Sequence, residues 1–251
     1  MNRRLGLAVA ATLLFVYVSA TDLTITFNMK AKGMLGSGTS GTEIHYYTSA
    51  YQLTRGVESK QDQLVDFDKG ITYSIDHKKK TIAKLSFDDA MAALDSLNQA
   101  QSGGASTMMA SLFGDPNDVH VEKMGMVKVA DHNCQGWHIA VGKMVMDLAA
   151  DPSLKLPMPD AAYVKMTQAR AAQFAKAGPM GQTFKRFYEE LSKIKGIPLK
   201  THLTAFMGSD VTSEATKVET TPIPAATFTL PDGYKVTDMG ETLKKQLAKG
   251  Q

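Results

Sequence analysis

Leu23, Ile25, Phe27 and Met29 alternate with Thr24, Thr26, Asn28 and Lys30, a period of two that gives a strand one apolar and one polar face. After a glycine-rich connection at 33–41, EIHYYTSAYQLTR reads as the next strand. QLVDF, ITYSID and KTIAKLSF follow, separated by turn residues such as Asp68-Lys69-Gly70 and His77-Lys78-Lys79, which predicts a run of hairpins. The period changes at Ser86. Ser86 and Asp89 have capping-box spacing, and Phe87, Met91, Leu94 and Leu97 recur at helical intervals until Gly103-Gly104. TMMASLFGDPND, apolar between breakers, reads as a loop or a mobile flap.

Strands resume over VHVEKMGMVKVADHNCQGWHIAVGKMVMDLA, with DHNCQG as a turn. Helices are predicted over about 160–177 and 180–195, the second with Met180, Phe184, Phe187, Leu191 and Ile194 on one stripe and Gly196 after it. IPLKTHLTAFMG, SEATKVETT and ATFTLPDGYKV return to strands, and a short helix follows from about Asp238. No internal repeat of fixed period stands out. Strands, a helix, strands, helices and strands again predict an α+β fold: one curled antiparallel sheet, an unclosed half-barrel, packed around helices.

The chain opens MNRRLGLAVAATLLFVYVSA, two arginines followed by an apolar run and small residues, which is the pattern of a secretory signal over 1–20. The run is short for a membrane span and no second one follows, so no integral span is expected. Thr21 follows the cut where a lipoprotein would carry cysteine, so the expected product is a single soluble domain, 21–251, periplasmic or secreted and not lipid-anchored. Two of the 28 basic residues and none of the 25 acidic ones fall in the signal, leaving a nearly neutral domain with no nucleic-acid signature. One cysteine makes no internal disulfide, so the core must hold the fold.

That cysteine, Cys134, lies between His132 and His138. It reads as a small packing residue, since free cysteine behaves as a small hydrophobe. With both histidines and the spaced methionines Met124, Met126, Met144 and Met146 it also offers soft donors suited to copper. HExxH, GxSxG, CxxC and nucleotide-binding glycine motifs are absent from the sequence, so neither an enzyme nor a resident cofactor is expected. The adjacent acids Asp88-Asp89 and Glu189-Glu190 read as a cap and a solvated helix face.

DFDKGITYSIDHKKKTIAKLSFDD, VEKMGMVKVADHNCQGWHIAV, ELSKIKGIPLKTHLTAF and ATFTLPDGYKV together resemble the strand pairs, central hairpin and closing strands of an exported bacterial family carrying a domain of unknown function. That family is similar in design to the LolA/LolB superfamily. The resemblance implies an unclosed barrel with an apolar cavity that takes acyl chains. LolA-type carriers hold a lid with an arginine; Arg55 is nearest by strand position but its surroundings do not match, so it is assigned no role. The expected partners are an apolar small molecule or lipid, bound among Phe27, Met29, Ile75, Leu85, Phe187 and Leu191, or envelope proteins if the domain is structural. Intact-mass measurement should give a chain that begins at Thr21; retention of Met1 or an acylated N-terminus would contradict the expected export route.

Overall fold

The computed structural model describes residues 22–32, 38–90, 92, 114–158, 161, 164, 179–204 and 209–242. Twelve strands form one sheet: β1 (Leu23–Lys32), β2 (Gly38–Tyr47), β3 (Tyr51–Gly56), β4 (Gln61–Asp66), β5 (Ile71–Asp76), β6 (Thr81–Ser86), β7 (Val119–Val129), β8 (His132–Val141), β9 (Met144–Asp151), β10 (Ile197–Thr204), β11 (Asp210–Glu219) and β12 (Lys235–Asp238). Their order is β12-β6-β5-β4-β3-β2-β1-β11-β10-β9-β8-β7, so the sheet is open at β12 and β7. Every neighbour pair is antiparallel except one. β12 runs parallel to β6, where an entirely antiparallel sheet was expected.

Two meanders meet in the middle. β1 pairs with β2 on one side and with β11 on the other, joining the run β1–β6 to the run β7–β11. The predicted single strand 43–55 is a hairpin instead: the Thr48 hydroxyl accepts hydrogen bonds from the amides of Ala50 and Tyr51, turning the chain between β2 and β3. This is the local side-chain bonding by which threonine competes with a ladder. The glycine-rich stretch also differs from its expected loop, because residues 38–41 already belong to β2 and pair with β1.

β3 to β6 repeat a unit of six strand residues and four turn residues, a period that the varied side chains hide in the sequence. Each turn ends in a left-handed residue, Lys60, Gly70 or Lys80. Asp66 and Asp76 occupy equivalent places, each accepting from the amide three residues on, Lys69 or Lys79, and pairing with that lysine's ammonium. The β7–β8 turn is tighter than predicted: Ala130 and Asp131 both have positive φ, the two-residue hairpin geometry that matches strand twist. His132 and Cys134 therefore lie on β8 rather than in a turn.

Helix α1 (Pro179–Leu191) packs Phe184, Phe187 and Leu191 against Ile139, Leu148 and Leu203 of the sheet. Gly196, with φ +97°, lets the chain turn into β10 where a Cβ would collide with the Asp151 carbonyl. Glu190 departs from the expected solvated face. It is buried and paired with Arg186 and Lys193. Ser86 caps the helical residues 87–90 as predicted, its hydroxyl accepting from the Asp89 amide and donating to the Asp89 carboxylate. The remainder of that helix, the apolar flap at 107–113 and most of the helix expected at 160–177 lie outside the described residues. ATFTLPDGYKV, expected as a strand, is for the most part a 3-10 turn (Ala225–Phe228) and a crossing segment, in which Pro231 cannot donate to a ladder, and only its last residues, Lys235 and Val236, pair in a strand, β12. Its Phe228, with Ile223, Leu230 and Tyr234, covers Leu53, Leu64, Ile75 and Ile82.

Leu53 is therefore a buried contact between sheet and crossing segment, while Met126 on edge strand β7 is 63% exposed. Leu53→Ala should cost about 2–5 kcal/mol and Met126→Ala no more than about 0.5 kcal/mol. Urea unfolding of the two variants checks the difference; equal costs would contradict this account of the core.

Candidate functional site

Register decides which side chains share a face. Leu23, Tyr47, Gln52, Val65, Thr72 and Leu85 are successive cross-strand partners from β1 to β6. Because alternate residues of a strand point to one side, Ile25, Phe27 and Met29 share their face. In the other direction Met29 is followed by Ser213, Thr201, Leu148 and Trp137, the last two packing with α1. Of the six residues expected to line a ligand site, Phe27, Met29 and Leu85 point to this face, whereas Phe187 and Leu191 pack from α1 in a separate cluster with Ile139, Leu148 and Trp137. Ile75 points the other way, aligned with Ile44, Arg55, Asp62 and Ile82, beneath the crossing segment. Phe27 and Met29 share one apolar cluster, Phe187 and Leu191 a second, and Leu85 and Ile75 a third and a fourth.

A polar string crosses the shared face. Glu43, His45 and Tyr47 alternate on β2, so all three point to the side of Phe27. His45 Nε2 lies 3.0 Å from Glu43 Oε2, and Nδ1 lies 3.2 Å from the Tyr47 hydroxyl. With Nε2 protonated toward the carboxylate, Nδ1 accepts from the tyrosine. The imidazole also sits 4.8 Å from the Phe27 ring, centroid to centroid. One side of the string is apolar, the row through Leu23 and Val65; the other side continues from His45 to Thr54, Gln63 and Ser74. The face thus has an apolar half and a polar half with Tyr47 at their boundary.

Gln52 stands directly opposite Tyr47 in the apolar half. It is 4% exposed, and its buried Oε1 has no hydrogen-bond partner. A buried acceptor left unmade costs about 1–3 kcal/mol, which sets this amide apart from an ordinary core residue. The string and Gln52 were missed in the sequence. The signal that could have found the string is plain, Glu43-x-His45-x-Tyr47 at strand spacing.

The cluster around Cys134 is arranged for packing. Cys134 is fully buried, and its thiol donates weakly to the His132 carbonyl at 3.7 Å. Burial, and then the Asp151 carboxylate, push the thiol above its ordinary pKa, away from the thiolate that nucleophiles and metal ligands need. The His132 and His138 rings bond different acids of β9, Asp151 and Asp147, each at 2.7 Å. Among the described residues no three His, Cys, Asp or Glu side chains are grouped to hold a metal ion. Arg55, on the opposite face, donates to Asp62, which His77 also pairs; His77 in turn meets the Tyr234 hydroxyl. That network ties β3, β4 and β5 to the crossing segment.

The family model for a domain of unknown function, DUF4412, matches residues 58–234, more than half of the chain. The chain belongs to the DUF4412 family. The resemblance read from the strand motifs is thereby borne out, and LolA superfamily proteins stand among the similar solved structures. An uncharacterized conserved protein from Thermus thermophilus is similar at 8% identity over 87% of this DUF4412 chain and 91% of its own, with a TM-score of 0.46. The LolA superfamily protein from Nitrosomonas europaea is similar at 8% identity over 84% and 91%, with a TM-score of 0.34. PNGF-II is similar at 12% identity over 92% of this chain, with a TM-score of 0.42, and the chain spans 33% of its length. No curated protein sequence matches the chain. No helix among the described residues is long and apolar enough to cross a membrane.

Asp151 gives this DUF4412 chain a testable acid limb. Burial raises its pKa, but hydrogen bonds from Ser153 and His132 outweigh that and hold it below the ordinary 3.8. A carboxylate depressed by folding stabilises above its unfolded pKa and loses that contribution as pH falls through its folded value. Asp151→Asn should lower the melting temperature at pH 7 and shrink the loss on going from pH 5 to pH 2. Parallel pH profiles of wild type and variant would contradict this account.

Proposed function

We propose that this is an exported periplasmic or secreted binding protein, without catalytic activity, whose sheet curls as a half-barrel around an acyl chain or similar apolar ligand held against the Phe27 and Met29 face. The observation that carries the reading is the divided face itself: an apolar row meeting a hydrogen-bonded Glu43–His45–Tyr47 string. Such a surface has a place for a chain and a place for a polar head, as ligand sites combine apolar walls with a few placed polar groups. The arginine-led start of the sequence supports export.

A second reading, partner binding, has its own observation. β7 is an edge strand with residues 120–128 all exposed, among them Val121, Met124, Met126 and Val127. Lys123, Lys128 and a bulge between Lys123 and Met126 blunt that edge against indiscriminate pairing. The ligand reading is preferred because its polar and apolar groups converge on one face.

Met29→Trp separates the readings. It should weaken uptake of a fluorescent fatty acid by about tenfold or more, the order of a steric block worth about 1.4 kcal/mol, while Met126→Trp on the β7 edge leaves uptake unchanged. Equal uptake by wild type and Met29→Trp, with both folded by circular dichroism, would remove this face as the ligand site.

A further inference from the structure

Gln52 is the polar residue of the apolar row whose terminal oxygen goes unused. Its cross-strand neighbours are Tyr47 and Val65, with Leu23 beyond Tyr47 and Phe67 packed nearby against Val65. Val65 and Leu23 offer no side-chain donor. The Tyr47 hydroxyl is engaged with His45 Nδ1, and the backbone amides of β2, β3 and β4 serve the ladder. Oε1 of Gln52 is therefore buried and unpartnered. The row also holds the hydroxyls of Tyr47 and Thr72, and neither satisfies this oxygen.

We propose that Gln52 Oε1 accepts a hydrogen bond from the bound ligand, so that the ligand is an acyl chain carrying an N–H or O–H donor beside the chain: an amide or a hydroxyl rather than an ester. This rests on the binding function proposed above and narrows it to a ligand class. The surrounding side chains select for the chain by excluding water, and Gln52 selects for the donor by being left unsatisfied without it. A site built around such an acceptor discriminates against a ligand lacking the donor, since that ligand strands the buried oxygen. A saturated ester of equal length fills the same space and leaves Oε1 unpaired.

The test compares octadecanamide with methyl octadecanoate, two probes of matched chain length that differ in the donor, on the delipidated mature protein by displacement of a fluorescent fatty acid. Wild type should bind the amide about tenfold more tightly than the ester, as one buried hydrogen bond provides. Gln52→Leu should erase that preference by weakening amide binding while ester binding is kept or improved, and Gln52→Met should repeat the result if the leucine variant folds poorly. Equal affinity of wild type for the two probes would overturn the proposal, as would an amide preference that survives both substitutions. A rise in melting temperature of Gln52→Leu with the preference intact would mark Gln52 as a core residue only. Binding of neither probe by wild type would overturn the binding function itself together with this inference, and is thereby distinguishable from equal binding of both.

Discussion

The pairing of β1 with β11 is the constraint on which the rest depends. Each meander can form its own hairpins from nearby sequence, but only this ladder joins the first strand of the described chain to a strand nearly two hundred residues later. It carries a register shift between Thr26 and Phe27, and beyond that shift Phe27 meets Ala215 and Met29 meets Ser213. Since a one-residue slip exchanges the faces of a strand, this register decides which side chains stand beside Phe27 and Met29: these pack with Ala215, Leu199 and Ala149, while α1 packs with Leu148 and Trp137 in a separate cluster. The divided face is a consequence of that alignment. Without it the apolar half of β1–β6 and the helix-covered half of β8–β10 would be unrelated surfaces.

Burial on both sides distinguishes the two halves. In β9, Leu148 and Ala149 are neighbours in sequence and point to opposite faces, yet both are buried, in different clusters. In β1–β6 the opposite face is closed by the proline-rich crossing segment that ends in β12, which pairs with β6 through a parallel ladder and the Lys84–Asp238 ion pair. One face of that half is thus sealed by the chain itself. The other is also largely buried, with Met158 packing in the cluster of Leu23 and Ile25 and Phe87 and Ala90 packing with Val65, and it carries the polar string and the unsatisfied Gln52.

Legibility followed locality. β1 and α1 could be read from alternation or helical stripe because each has a single apolar side, and β4, β5 and β6 from short apolar runs between clear turn residues, although Leu64 and Val65 of β4 and Ile82 and Leu85 of β6 face opposite sides. The break at Thr48–Ala50 was hidden, since its turn is made by a threonine hydroxyl rather than by glycine or proline. The crossing segment alternates like a strand but has prolines where a ladder needs amides, and the parallel β12–β6 contact is non-local, so neither announced itself. Cys134 was read as packing and packs, although a turn at DHNCQG had placed it near the surface instead of on β8. For the candidate site, alternation brought out Phe27 and Met29, whereas the facing of Ile75 depended on pairings that only register supplies. The polar string was visible at strand spacing; its value lay in being beside Phe27, which is a fact of the β1–β2 ladder.

The central claim is that the divided face holds an apolar ligand in the protein's own setting. Native mass spectrometry of the mature protein, purified from its own host without detergent and followed by lipid extraction, tests it most directly. The account predicts a bound species of lipid mass at close to one per chain, released on denaturation and absent from Met29→Trp prepared in the same way. A folded protein that carries no extractable apolar molecule, or carries it equally in Met29→Trp, would contradict the account.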